Sequence, residues 1–133
     1  MSDILALPED DEDYLSNRGI TYELHRHPTD TTAMLMVIRQ YNLGPHFNPQ
    51  VVDFSLNIPA GYPDAQLDMF WVYPSVVLRS GAQPRATSLS FWFEGHQWQQ
   101  FSRHRDPSTP WRPGIDSIAS HLLLVRGELD KGI

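Results

Sequence analysis

The chain has 133 residues, 41% hydrophobic and 20% charged, with a formal net charge of −6 and no cysteine. That length closes one hydrophobic core without a disulfide or metal staple, and the composition is that of a soluble globular domain. The missing thiols exclude disulfides, thiolate metal sites and a cysteine nucleophile, and they fit a reducing compartment.

An acidic balance argues against nucleic-acid binding, which needs a basic face to neutralise phosphate. Apolar runs such as Met34 to Ile38 and Leu122 to Val125 fall far short of the ~20 residues that span a bilayer. The first residues lack the basic region of a secretory signal, so a cytoplasmic chain with no membrane partner is expected.

Pro8 to Asn17 reads as a short helix, with Pro8 in its first turn and the acidic run Glu9 to Asp13 as a solvated start favoured by the helix dipole. Gly19 ends it. Ile20, Tyr22 and Leu24 then alternate with Thr21, Glu23 and His25, which is strand period. Thr31 to Arg39 is nearly continuous and apolar, as in a more buried central strand. Asn42 to Pro49 is turn-rich and predicts a loop.

Val52, Phe54, Leu56 and Ile58 oppose Asp53, Ser55 and Asn57, which predicts a strand with one packed and one wet face. Pro59 to Pro63 stops it, and Leu67 to Tyr73 forms a fourth strand stopped by Pro74. From Pro74 to Pro113 the pattern is irregular, except for a possible pair at Leu89–Phe93 and Gln97–Phe101. Ile115, Ile118, Leu122, Val125 and Leu129 fall at helix spacing, with Asp116 as a plausible cap and Gly127 weakening the last turn. The layout is α+β: an antiparallel four-stranded meander with helices on its apolar face, in one domain over residues 1–133.

Chemistry concentrates between Gly95 and Pro113. Ser102 and His104 are two apart, so in an extended segment they point the same way and could share a hydrogen bond. A serine acts as nucleophile only with a base to take its proton, and histidine suits that work near neutrality. The plainer reading is a surface turn with a capping serine and a solvated histidine. Phe91, Trp92, Phe93, Trp98, Phe101 and Trp111 either wedge this segment onto the sheet or leave an exposed subset as a docking surface. Arg103, Arg105 and Arg112 could receive an acidic partner or a carboxylate, or simply be solvated. His25 and His27 share a strand face but lack an evident third ligand, so no metal or other cofactor is expected. His46 and His121 have no discernible partner in sequence.

The order of these elements, with Leu7-Pro-Glu-Asp-Asp11, Ile58-Pro-Ala-Gly-Tyr-Pro-Asp64, Leu67-Asp-Met-Phe-Trp71, the Trp98-to-His104 string and Trp111-Arg-Pro-Gly-Ile-Asp116, resembles the ubiquitin-conjugating enzyme (UBC) fold. More narrowly, the chain resembles a bacterial branch of that superfamily, the prokaryotic ubiquitin-conjugating family E. The resemblance implies an N-terminal helix, a meander, a long active-site stretch and a C-terminal helix. It also implies a carrier that takes an acyl group from a ubiquitin-like protein, through an activating enzyme, toward an amine on a target protein.

Relatives in eukaryotes use a cysteine a few residues after a glycine equivalent to Gly95, and an upstream His-Pro-Asn. This chain has neither. One reading therefore makes Ser102 an oxyester carrier, with His104 or His96 as base and Arg103 or backbone N–H groups as oxyanion donors. Lys131 is the only lysine, which leaves few sites for self-modification. A second reading is an inactive module that binds the ubiquitin-like protein or its activating enzyme. A third, an unrelated serine hydrolase, has only Asp106 as a nearby acidic partner.

Overall fold

A computed structural model describes residues 5–133. Helix α1 covers Glu9–Asn17 and follows Pro8 directly. Its acidic run is solvated except at Asp11, which with Leu15 forms the inward face. Strands β1 (Glu23–Arg26), β2 (Met34–Asn42), β3 (Phe47–Asn48), β4 (Val51–Ile58), β5 (Phe70–Tyr73), β6 (Val77–Leu78), β7 (Ser90–Phe93) and β8 (His96–Phe101) precede helix α2 (Ile118–Asp130).

The principal sheet has six antiparallel strands in the order β1-β2-β4-β5-β8-β7, and β3 pairs with β6 in a separate two-stranded ribbon. This corrects the four-stranded expectation. The meander passes through β1, β2, β4 and β5, but the stretch after Pro74 returns to it: β8 pairs with β5 from Phe70↔Phe101 to Val72↔Gln99. The pair expected at Leu89–Phe93 and Gln97–Phe101 forms as β7 and β8, and only its place in the main sheet was hidden, because the buried polar Gln99 breaks the apolar alternation. Its amide is satisfied by the Val76 backbone, accepting from N–H at 2.8 Å and donating to C=O at 3.1 Å. A side chain here stands in for a backbone ladder rung.

One face of the sheet carries Met36, Ile38, Phe54, Leu56, Phe70, Val72 and Phe101 against Leu15 of α1 and Ile118, Leu122, Val125 and Leu129 of α2. The other face was expected to be wet along β4, and it is not. Ser55 is 3% exposed, and Leu35, Val37, Trp71, Phe93 and Trp98 form a second apolar cluster on that side. The continuous apolar run of β2 serves both clusters, Met36 and Ile38 facing the helices and Leu35 and Val37 facing the other way. The sheet curls around this second cluster until its ends meet. The rings of His25 and Phe93 lie 5.5 Å apart edge-on, and those of His27 and Phe91 lie 5.3 Å apart. Across the same gap the Arg39 guanidinium donates to Glu23, Asp53 and Glu94.

The Gly-Tyr-Pro and Trp-x-Pro segments hold the helices to the sheet. Tyr62 donates its hydroxyl to Asp11 Oδ2 at 2.7 Å and accepts the Ile118 N–H at 2.8 Å, while Trp111 Nε1 donates to Pro63 O at 3.0 Å. Helix α2 starts later than its apolar spacing predicts. Ile115 is 66% exposed outside the helix, and Ser117 is the N-cap, its N–H donating to Ser120 Oγ at 3.0 Å. Asp116, expected to cap, instead accepts the Arg112 N–H at 2.7 Å and closes the preceding turn. Gly127 does not end α2, because Leu129 beyond it is fully buried.

Candidate functional site

The chemistry-bearing residues sit where the segment entering β5 runs beside the segment leaving β8. Asp68 and Met69 lie on the first, Gln100 to Arg105 on the second, and His121 of α2 reaches them from the helical side. Met69 adopts φ +60°, a left-handed conformation that costs a non-glycine residue about 1–2 kcal/mol. Its carbonyl accepts from His121 Nε2 at 3.1 Å. With Nε2 donating, His121 Nδ1 is free to accept from Arg105 Nη2 at 3.4 Å. Burial, aided by the nearby Arg105 charge, pushes the His121 pKa down to about 4, so this imidazole is neutral.

The predicted pair Ser102 and His104 is not joined by a hydrogen bond in this structure. Ser102 is half-buried, with its N–H donating to Ala86 O at 2.9 Å and its Oγ accepting from Gln100 Nε2 at 2.9 Å. His104 lies 2.8 Å through Nδ1 from Asp68 Oδ2, with its side chain 59% exposed. A carboxylate only accepts, so Nδ1 carries the proton and Nε2 is the free, basic nitrogen. The second carboxylate oxygen, Asp68 Oδ1, is buried and has no hydrogen-bond partner among the described residues.

Two other predicted residues lie elsewhere. His96 begins β8 and stacks on Tyr73 at 4.2 Å, at the far end of the strand from Ser102. They are six positions apart along the strand, roughly 20 Å, too far for proton transfer without a relay. The Arg103 side chain is 1% exposed and donates to Arg85 O at 3.1 and 2.8 Å, to the Ile133 main-chain oxygen at 2.7 Å and to Glu128 at 3.5 Å. It is a buried cross-link between a loop and the C-terminal helix, with four of its five N–H donors engaged.

Neither of the other two arginines is a free cation. Arg105 donates to Leu67 O and Thr109 O and lies 4.8 Å from the Trp111 ring, and Arg112 pairs with Asp116 at 3.6 Å. Asp106 accepts from Ser108 and Thr109 in its own turn, so it is not the acidic partner of His104. Of the aromatics, Phe93, Trp98 and Phe101 are buried, Phe91 and Trp111 are partly buried, and Trp92 alone is 61% exposed.

His25 and His27 do not converge. His27 Nδ1 accepts the Asp30 N–H at 2.9 Å and serves a turn. His25 instead meets Glu23 and Glu94, the three ligand-type atoms lying within 4.8 Å of one another. The Arg39 guanidinium already bonds both carboxylates, so their oxygens are engaged and part of their charge is offset by a side chain.

A family model described as prokaryotic E2 family E matches residues 7–132. The chain belongs to this family. No curated protein and no solved structure matches it. The two helices and curled antiparallel sheet agree with an E2-like fold, and membership associates the chain with ubiquitin-like conjugation. No helix among the described residues is long and apolar enough to cross a membrane.

Sequence reasoning missed Asp68, Gln100 and His121 in this family E chain. Asp68 lies 36 positions from His104, beyond any local spacing rule. Its one signal was an acid at the mouth of a predicted strand, in the Leu67-Asp-Met-Phe-Trp71 string.

Proposed function

We propose that this family E chain, as one domain spanning residues 1–133, is an acyl carrier in ubiquitin-like conjugation. It holds the acyl group as an oxyester on Ser102, with His104 as general base and Asp68 positioning that base. The observation that carries the reading is the Asp68–His104 contact at 2.8 Å, two residues from a half-buried serine. A base held through Nδ1 presents Nε2 for proton abstraction, and the carboxylate stabilises the imidazolium that results. The chain turns tightly at Ser102, where the Arg103 N–H donates to Phe101 O at 2.9 Å, and one bridging water links Nε2 to Oγ in this reading while leaving the Asp68 contact intact.

In the step itself, Oγ bonds to the carbonyl carbon of an activated acyl group, a thioester or acyl adenylate. The bond to the leaving thiolate or phosphate breaks. The hydroxyl proton passes to His104 Nε2 and from there to the leaving group. An amine on a target protein then displaces Oγ by the reverse sequence. The partners are a ubiquitin-like protein, its activating enzyme and the amine-bearing target, and no metal or organic cofactor enters.

Intact-mass spectrometry tests this after incubation with ATP, the activating enzyme and the ubiquitin-like protein. The expected result is an adduct of one ubiquitin-like protein minus water, cleaved by hydroxylamine and absent from Ser102→Ala. An adduct that persists in Ser102→Ala moves the nucleophile elsewhere. A stable complex without any adduct replaces the carrier with a docking module, the reading favoured by the missing Ser102–His104 hydrogen bond.

A further inference from the structure

The carrier reading leaves the oxyanion donor unfilled, since Arg103 is buried among other partners and the Ser102 and Arg103 N–H groups already donate to Ala86 O and Phe101 O. We infer that the Gln100 side-chain amide is a catalytic residue that stabilises first the Ser102 alkoxide and then the oxyanion of the tetrahedral adduct. This inference rests on the Ser102 reading and adds to it a residue to which the sequence analysis gave no role.

Strand register sets the geometry. Trp71 on β5 stands directly opposite Gln100 on β8, so the two side chains share a face of the sheet, and Ser102 lies two positions further along. The Trp71 indole N–H is a donor only, and it reaches Gln100 Oε1 at 3.1 Å. That contact settles which end of the amide is oxygen, because a flipped amide would set two donors against each other. The NH2 group is thereby turned toward Ser102 Oγ, 2.9 Å away, and Met69 Sδ, 3.5 Å away.

Two consequences follow for the chemistry. Oγ accepts a hydrogen bond from Gln100, so its own proton is directed elsewhere and is available to a base. A hydrogen bond donated to Oγ also favours the ionised form, making the hydroxyl a better nucleophile. The second amide hydrogen faces a thioether, among the weakest acceptors in a protein. When Oγ adds to a carbonyl, the new oxyanion sits one bond from the carbon attached to Oγ, close to the same nitrogen. That hydrogen can leave sulfur for a full negative charge at little cost. Trp71 is only 8% exposed and packs on Phe91 at 5.9 Å, so the donor is held before substrate arrives.

The test is the single-turnover rate of Ser102 adduct formation, followed by intact mass with the activating enzyme and ubiquitin-like protein in excess. Four variants are compared: Gln100→Met, which keeps side-chain length without a donor; Trp71→Phe, which keeps an aromatic ring and frees the amide to flip; Ser102→Ala; and Gln100→Glu. Thermal unfolding accompanies each. Gln100→Met is expected to remain folded and to slow acylation roughly 100-fold. Trp71→Phe is expected to slow it by a smaller factor, roughly 10-fold, because the donor is disordered rather than removed. Gln100→Glu supplies a readout that packing alone would not move. Only its protonated acid can donate, so its rate relative to wild type rises as pH falls through the carboxyl pKa.

An unchanged acylation rate in folded Gln100→Met overturns the inference while a Ser102-dependent adduct leaves the carrier reading standing. Absence of any Ser102-dependent adduct in the wild type overturns both. If Gln100→Met does not fold, the Trp71→Phe rate and the Gln100→Glu pH profile decide.

Discussion

His121 shows how one buried side chain makes the whole fold sensitive to acid. Its ring is 1% exposed, and burial holds its pKa near 4 against 6.5 for a free histidine. Between those values the unfolded chain binds a proton that the folded chain refuses, so stability falls as pH drops through that window. Full expression of the shift corresponds to about 3 kcal/mol. Urea unfolding of the wild type at pH 7 and at about pH 4.5 should show most of that loss, and His121→Leu should flatten the profile. Glu23 has its pKa lowered to about 2, chiefly by Arg39, and loses stability between 4.5 and about 2, so the two windows barely overlap. Asp11 acts in the opposite sense. Its pKa is raised by burial, so protonating it on acidification favours the folded state. None of this is written in the local sequence of His121. The residue lies on the core stripe of α2, and its partners come from Met69 and Arg105.

At the scale of elements, punctuation and period were legible and partners were not. Pro8, Gly19, Pro59 and Pro74 mark real boundaries, and the alternation of β4 places Phe54 and Leu56 in the core. The start of α2 was misplaced because Ile115 falls in phase with Ile118 and Leu122 while lying outside the helix. Phase identifies a face, and capping chemistry identifies the end, here Ser117 with Ser120. The Tyr62 hydroxyl has the largest consequence among the inter-element contacts, since it joins Asp11 of α1 to the first N–H of α2. Tyr62→Phe leaves a buried carboxyl and a helix-end donor without that partner, which should cost about 1–3 kcal/mol. The expected signature is a lower urea midpoint with an unchanged slope.

At the scale of the molecule, the curl of the sheet is the feature that sequence did not disclose. Period two assigns residues to faces, but whether a face meets water depends on what distant strands bring to it. Ser55 and Asn57 look solvent-facing beside Asp53, yet Trp71 and Trp98 cover their side. Arg39 connects the ends of that curl through Glu23, Asp53 and Glu94, with its own pKa raised by those carboxylates. All these groups are partly exposed, so the pairing is screened and Arg39→Met should cost only about 1 kcal/mol. Thermal unfolding at low and high salt checks it: the gap between wild type and variant should narrow as salt rises. The site was half legible in the same way. Ser102 and His104 stood out by spacing, whereas Asp68 and Gln100 joined them through pairing between β5 and β8 and the segments at their ends.

The short strands at the two ends of the sheet bear on how this chain behaves at high concentration. An open strand edge is a template on which a second copy can add, the first step toward fibres. Here β1 and β7 are four residues each, and the Glu23, His25 and Arg26 side chains of β1 put polar groups along one edge. The curl also brings β7 back toward β1, so Phe91 and Phe93 face His27 and His25 of the same molecule. Trp92, pointing outward, is left as a single ring rather than part of a sticky ribbon. By folding its ends toward each other, the sheet shields itself from its own copies, much as a closed barrel does, without completing the ring of hydrogen bonds.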